Sequence, residues 1–582
     1  MKVFVRGALV AVLGMCLLSC GDESASISTA PVATTSGTFK GVPAGSAEVT
    51  VFKGLRYAAA PVGPLRWKPP RTATRAEGVI TADKFGAACP QQGNATPQAE
   101  DCLFLNVFAP SAAKRGTNLP VLVFIHGGAF LSGSGAAYDA TSMVAENNVI
   151  VVTLNYRLGA LGLIVMPGLL ATENSFFENV GDGGNYGFID QQFAFQWLRD
   201  NVAAFGGDPA KVTITGESAG GQSVFFHLAS PETGKDLFRG VISQSSGSTY
   251  NTLPSKTEFQ EKFAEAFAAD IGCAATDPDC LRIKPVAAIL ESQNRALGRY
   301  NWSPVHGTKA LPLSFKAAFQ SGKIVKVPWF NGTTAHEGRF FLPNQLPRIP
   351  AEEAVPAGGP ATYTLAHANA FCGGADAPAT CTYPSLINRY LSNGLAGTRF
   401  AVVPPDMNTP EFGQKLAEIY AMAKFPNPYL NGAPNADMAL GRLFTDMVMA
   451  CNALAANRDL AATGIPVYGY EFDDPNAPPR SKPVQPPNNV LGYPSGPEHT
   501  SELNYLYESG QTFTPDQSTL AREMRAYWAN FAKTLNPSGP NVPAFKPVPA
   551  VQLLVPGGSR SSETFDEDHH CTSLWQPILA GG

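Results

Sequence analysis

Three stretches of this chain read as strands buried on both faces, two of them apolar at consecutive positions, and each runs into a loop of small or polar residues. Val121 to Ile125 ends at His126-Gly127-Gly128, Asn148 to Leu154 at Asn155-Tyr156-Arg157, and Lys211 to Thr215 at Gly216. A strand that is apolar on both sides has both faces covered, as central strands do in a sheet packed between helices. Between the second and third runs, Phe193, Trp197, Leu198 and Val202 recur at helical spacing within Gln191 to Phe205, and Gly206-Gly207 closes the stretch. Strand, helix, strand, helix is the order of an α/β fold: a large central, mostly parallel, twisted sheet flanked by helices. Functional loops then belong at the carboxyl ends of the strands. With 44% hydrophobic residues and neither a low-complexity linker nor an internal repeat after Gly37, the 582-residue chain reads as one large domain.

The N-terminus precedes that domain as a separate unit. Lys2 and Arg6 are followed by an apolar stretch from Gly7 to Leu18, too short for a permanent membrane helix but suited to a signal peptide. Leu17-Leu18-Ser19-Cys20 resembles a bacterial lipobox. Residues 1–19 are therefore predicted as a lipoprotein signal peptide, Cys20 as the lipidated new N-terminus, residues 20–36 as a flexible tether, and 37–582 as the folded domain. A plain secretory signal cut near Ser24 to Ser28 is the alternative. Gly21 stands where an Asp favours inner-membrane retention, so the expected place is the outer membrane, or otherwise the periplasm or cell surface. The chain carries 42 basic and 47 acidic residues, a net charge of −5, which gives no electrostatic case for nucleic acid or for an anionic membrane surface. Ten cysteines, eight of them after Cys20, suit four disulfides in an exported chain; in a cytosolic one the same pairs would suggest metal.

Gly216-Glu217-Ser218-Ala219-Gly220-Gly221 lies between the apolar strand Val212 to Thr215 and an apolar, helix-like run at Val224 to Leu228. That is the strand–turn–helix setting of a nucleophile elbow, in which small neighbours let the turn hold Ser218 in a strained backbone conformation. A serine nucleophile attacking a carbonyl needs donors aimed at the developing oxyanion. His126-Gly127-Gly128-Ala129-Phe130 follows a strand and offers the backbone N–H groups of Gly128 and Ala129; Ala219 offers a third.

These motifs carry a resemblance. With Phe52-Lys53-Gly54-Leu55-Arg56-Tyr57, Glu100-Asp101-Cys102-Leu103-Phe104-Leu105-Asn106-Val107 and Phe205-Gly206-Gly207-Asp208-Pro209, the chain resembles a type-B carboxylesterase, in the acetylcholinesterase-like branch of the α/β-hydrolases. The likeness is collinear from about Gly37 to the C-terminus and weakest over 344–440. It implies a serine carboxylic-ester hydrolase with neither metal nor cofactor, working through an acyl-enzyme.

Hydrolase order places acid and histidine after the serine, and seven histidines follow Ser218. His227 lies on an apolar helix and reads as core; His306 and His367 read as loop residues, and His569 and His570 as solvated. His499, in Gly496-Pro497-Glu498-His499-Thr500-Ser501-Glu502-Leu503, occupies the family's histidine position, with Glu502 matching its acidic residue three later. Val327 to Asn331 reads as a short strand, and Glu337 follows in the loop where the family keeps its acid. His336 is the competing base. Glu217 and Ser245 resemble positions behind the family's triad, or are simply buried polar residues.

The loop Pro90 to Asp101 lacks the aromatic ring that cholinesterases use against a quaternary ammonium, so an uncharged ester of modest size is expected. Phe130, Phe340 and Phe341 are candidates for an apolar pocket. Residues 344–385, rich in Pro, Ala and Gly, read as a surface insertion in preference to a lid. Two other functions are weighed: a neuroligin-like adhesion protein, which would have lost the nucleophile, and an amidase using the same triad. The resemblance also implies disulfides Cys89–Cys102, Cys273–Cys280 and Cys451–Cys571, leaving Cys372–Cys381 within the insertion.

Overall fold

The computed structural model describes residues 25–93, 97–169, 184–234, 236–296, 302–345, 382–391, 407–428, 432–480 and 494–580. The signal peptide, Cys20, His367 and the pair Cys372–Cys381 lie outside them.

The strands in chain order are β1 (Val32–Thr34), β2 (Gly37–Lys40), β3 (Val42–Ala44), β4 (Ser46–Arg56), β5 (Val79–Thr81), β6 (Phe104–Pro110), β7 (Leu119–Ile125) and β8 (Ile150–Leu154). Then follow β9 (Gly207–Glu217), β10 (Gly240–Gln244), β11 (Trp329–Thr334), the two-residue ladder β12 (Pro426–Asn427) and β13 (Ala433–Pro434), β14 (Val467–Phe472), β15 (Val551–Leu554) and β16 (Arg560–Ser562). Eleven of them make one sheet, in the order β16-β15-β14-β11-β10-β9-β7-β8-β6-β4-β3. From β8 to β15 every pairing is parallel, and the pairings outside that run are antiparallel.

The consecutive apolar runs have the expected cause. Along β7, Val121, Val123 and Ile125 enter one core while Leu122 and Phe124 enter another on the opposite face. The first core contains helices α2 (Gly159–Leu163), α3 (Tyr186–Asn201) and α4 (Ala219–Ala229); the second is covered by helix α1 (Thr141–Asn147) and by helix Pro515–Thr534. Helix α3 starts at Tyr186, five residues before the sequence reading placed it, behind Asn185 in a left-handed conformation (φ 56°).

Disulfides join Cys89–Cys102, Cys273–Cys280 and Cys451–Cys571. Such bonds persist in oxidising compartments, which places the protein among exported chains. No helix among the described residues is long and apolar enough to cross a membrane. The tether expected over 20–36 is corrected in extent. Ile27 is buried, with its N–H on Ala113 O at 2.9 Å, and β1 pairs with β2, so the fold begins well before Gly37. The apolar Ile27 and Val32 drive this, because each removes its side chain from water against the first core.

Candidate active site

Ser218 is the residue between β9 and α4, with φ 56° and ψ −121°, outside the regions open to most L-residues. Its neighbours show why the turn is glycine-rich. A Cβ on Gly216 would lie 2.4 Å from Gly220 C, one on Gly220 2.0 Å from Ile125 O, and one on Gly221 2.8 Å from Ser246 Cβ. The turn is tied from outside as well, by Ser218 N–H donating to Gln244 O at 2.9 Å. Strain of this kind survives only where packing over-determines it.

The loop after β7 closes on this turn. Gly127 has no room for a side chain, since its Cβ would sit 2.7 Å from Glu217 O and 3.0 Å from Ser218 Cβ. Gly128, Ala129 and Phe130 all take positive φ (102°, 59° and 59°), which turns successive peptide planes along one side. The ring of Phe130 packs edge-on against Phe188 in the core and holds the loop down; of the three candidate pocket aromatics it is the one that is plain core. Ala219 opens α4, so its N–H belongs to the first turn, whose donors have no partner within the helix.

Glu337 and His499 are brought together from loops that follow β11 and β14. His499 Nδ1 lies 2.5 Å from Glu337 Oε2, and Glu337 Oε1 accepts the Thr334 N–H at 2.9 Å. On the far side of the ring, His499 Nε2 is 3.2 Å from Glu217 Oε1. That oxygen has no aligned donor, so the contact acts through charge and not through a hydrogen bond. Phe340 and Phe341 lie against the imidazole at ring-centre distances of 5.4 and 4.8 Å. Burial opposes the charged imidazolium, but Glu217 and Glu337 outweigh it, and the His499 pKa is pushed up to about 9. Burial drives the carboxyl of Glu217 up to about 7, against the pull of His499. It also lifts Glu502 to about 8, with the charges of Glu217 and Glu337 adding to the effect.

Ser245 sits beneath with φ 51°, its N–H on Gly332 O and its buried hydroxyl without a protein partner. Three further residues of the site carry no role that the sequence assigns them. Gln244 joins Glu502 (3.1 Å), Thr215 and Trp528. Tyr156 donates to His126 O at 2.7 Å and stacks on its ring. Glu498 is buried and pushed up to about 7 by burial. A polar residue ending an apolar strand, as Gln244 does, is the one signal that would have found any of them.

The other histidines separate cleanly. His227 is core, with Nε2 2.7 Å from Gln191 Oε1. His306 is half-buried in a loop whose backbone bridges Ser255. His336 lines a polar cavity of about 440 Å³ together with Arg442, Asp446 and His569, and Ser218 is not among the lining residues. His569 is a correction. It is buried, not solvated, with Nδ1 2.6 Å from Asp446 Oδ1 and Nε2 2.8 Å from Glu471 Oε1. Two carboxylates compensate the imidazolium there, which the polar local sequence could not reveal.

Residues 26–555 match the family described as the Carboxylesterase family. The chain is 30% identical over 554 residues to the acylcarnitine hydrolase of Rattus norvegicus, spanning 90% of this chain and 85% of that protein. It is 37% identical over 306 residues to the para-nitrobenzyl esterase of Bacillus subtilis (strain 168), spanning 50% of this chain and 60% of that protein. A solved structure of a PNB esterase aligns with a TM-score of 0.67 at 27% identity, over 94% of this chain and 99% of that one. The shared architecture is the α/β-hydrolase fold.

Proposed function

Because this chain belongs to the carboxylesterase family and is a carboxylic-ester hydrolase, we propose that it cleaves its esters through Ser218, His499 and Glu337 by way of an acyl-enzyme. His499 takes the Ser218 proton as Oγ attacks the ester carbonyl, and the N–H groups of Gly128, Ala129 and Ala219 receive the oxyanion. Glu337 fixes the imidazole ring and stabilises its charged form; His499 then returns the proton to the leaving alcohol. Water, activated by the same histidine, releases the acid. The observation that carries this reading is the 2.5 Å contact between His499 Nδ1 and Glu337 Oε2, with His499 Nε2 3.2 Å from Glu217, the residue before Ser218 at its positive-φ turn.

Phe340 and Phe341, packed on His499, give the ring an apolar wall suited to an uncharged ester of modest size. Glu217 adds negative charge at the Nε2 edge of His499, and Ser245 supports the turn by its N–H bond to Gly332 O. Residues 1–19 direct export and Cys20 carries the lipid that tethers the single domain to a membrane, the outer one in a bacterium. A fourth disulfide joins Cys372 and Cys381.

Hydrolysis of short p-nitrophenyl esters by wild type and Ser218→Ala tests the assignment. The variant should lose about 10⁴-fold or more in kcat, as removal of a triad nucleophile does. Activity within tenfold of wild type would remove Ser218 from the mechanism. Matched p-nitroanilides should be cleaved far more slowly; equal rates would make the enzyme an amidase.

A further inference from the structure

Cys20 is seven peptide steps from Ile27, which is pinned in the core. Seven residues reach at most about 25 Å, whereas a domain of this length has a diameter of about 60 Å. A lipid at Cys20 therefore leaves one side of the domain, the side where Ile27 emerges, in reach of the bilayer. That side carries the small sheet β1-β2-β5. Val32, Phe39 and Ile80 lie in one row across it, and Ala33, Thr38 and Val79 in the next, so β5 is two strands, about 10 Å, from β1.

β5 is the unusual element. Its side chains stay in water although two of them are aliphatic: Val79 is 59% exposed and Ile80 38%, with Phe85 just beyond at 40%. These are three of the five large hydrophobic residues that stand exposed among the described residues. Basic side chains surround them. Lys53 Nζ lies 4.8 Å over the Phe85 ring, the Lys53 N–H bonds Ala82 O, and Arg75 reaches Thr38 on the same sheet. Lys40 and Lys84 complete the set, against Glu77 and Asp83, so the patch is locally positive in a chain of net charge −5. Exposed apolar residues ringed by cations match the headgroup region of an anionic bilayer.

We propose that this β5 edge, where Val79 and Ile80 project to opposite sides of an outermost strand and Phe85 follows them, lies on the phospholipid surface and fixes the orientation of the domain. The proposal rests on Cys20 being lipidated, and it adds a second contact to the single anchor. One lipid anchor alone would leave the domain free to turn; anchor and basic apolar patch together hold it one way up.

All six native tryptophans are buried, at most 5% exposed, so an introduced surface tryptophan reads its own surroundings. The mature protein with Ile80→Trp, and separately with Ser561→Trp on β16 at the opposite edge of the main sheet, is bound to phosphatidylethanolamine–phosphatidylglycerol vesicles containing brominated lipid. The N-terminal mass is measured on the same samples. Ile80→Trp should lose most of its added emission on binding, and Ser561→Trp should keep it. Equal quenching at both sites, or none at Ile80→Trp in lipidated, vesicle-bound protein, overturns the orientation and leaves the anchor standing. A blue-shifted Ile80→Trp without lipid means a second copy covers the patch, and this also overturns it. An unmodified Cys20 removes the anchor, and the proposal with it.

Discussion

His499 is held by two carboxylates that act on it differently. Glu337 takes Nδ1 in an aligned 2.5 Å contact, whereas Glu217, 3.2 Å from Nε2, contributes charge without a directed bond. In the proposed mechanism His499 must be neutral to accept the Ser218 proton, and its pKa is pushed up to about 9 as the charges of Glu217 and Glu337 overcome burial. Activity therefore rises with pH through a limb above the usual histidine range. That limb belongs to the whole cluster of His499, Glu217 and Glu502, which share protons. Replacing Glu217 by Gln removes one negative charge from the ring and should move the acid limb of kcat/KM to lower pH. A pH–rate profile checks it, and a limb that stays put or moves upward would exclude Glu217 from setting the base. Ser218 could be proposed from its strand–turn–helix setting, and Glu337 and His499 from the family's positions; the structure brings the last two within 2.5 Å. Gln244 and Glu498 could not be proposed, because a buried polar contact is decided by which distant residue packs opposite.

At the scale of elements, the β9–turn–α4 unit depends on backbone lying against backbone. A methyl at Gly220 would meet Ile125 O at 2.0 Å and Ile125 C at 2.8 Å, atoms of a central strand that cannot rotate aside. Gly220→Ala should destabilise by about 3 kcal/mol or more, the upper range for overpacking, read as a fall in the urea midpoint with activity lost alongside. A wild-type midpoint would show the turn to be more yielding than its geometry. Helix Pro515–Thr534 offers a milder test on the opposite face of the sheet. Its capping box pairs the Thr514 hydroxyl with Gln517 N–H and the Gln517 side chain with Thr514 N–H. Thr514 is exposed, so Thr514→Ala removes the cap and little else, for about 1 kcal/mol. The central strands were readable because burial on both faces writes itself into consecutive residues. Boundaries were less so: β11 runs Trp329–Thr334 where the apolar pattern suggested Val327 to Asn331, since Thr333 and Thr334 are polar but pair in the sheet with Glu471 and Phe472.

On the scale of the whole molecule, the C-terminal segment is fastened to the sheet by two unlike devices. The disulfide Cys451–Cys571 closes a separation of 120 residues, and two residues away His569 bridges Asp446 and Glu471. Both ring nitrogens face carboxylates, so both must carry protons. The local sequence, polar and acidic around His569, resembles a solvated tail, because its partners are 98 and 123 residues away. Burial and Arg442 press the imidazolium down, but Glu471 and Asp446 prevail and the pKa of His569 is raised. The folded state therefore holds this proton more tightly than the unfolded chain does. Its contribution to stability is complete below the ordinary histidine value of 6.5 and is lost as pH climbs through the raised folded value. His569→Gln leaves two buried carboxylates short of a cation, and should cost about 3 kcal/mol on the acid side of that window. The cost should shrink as the pH is raised, because wild type gives up the same proton. Urea titrations of both proteins at mildly acidic and mildly alkaline pH measure the two gaps, and a gap that stays constant or widens would mean that His569 does not fasten the segment through its charge.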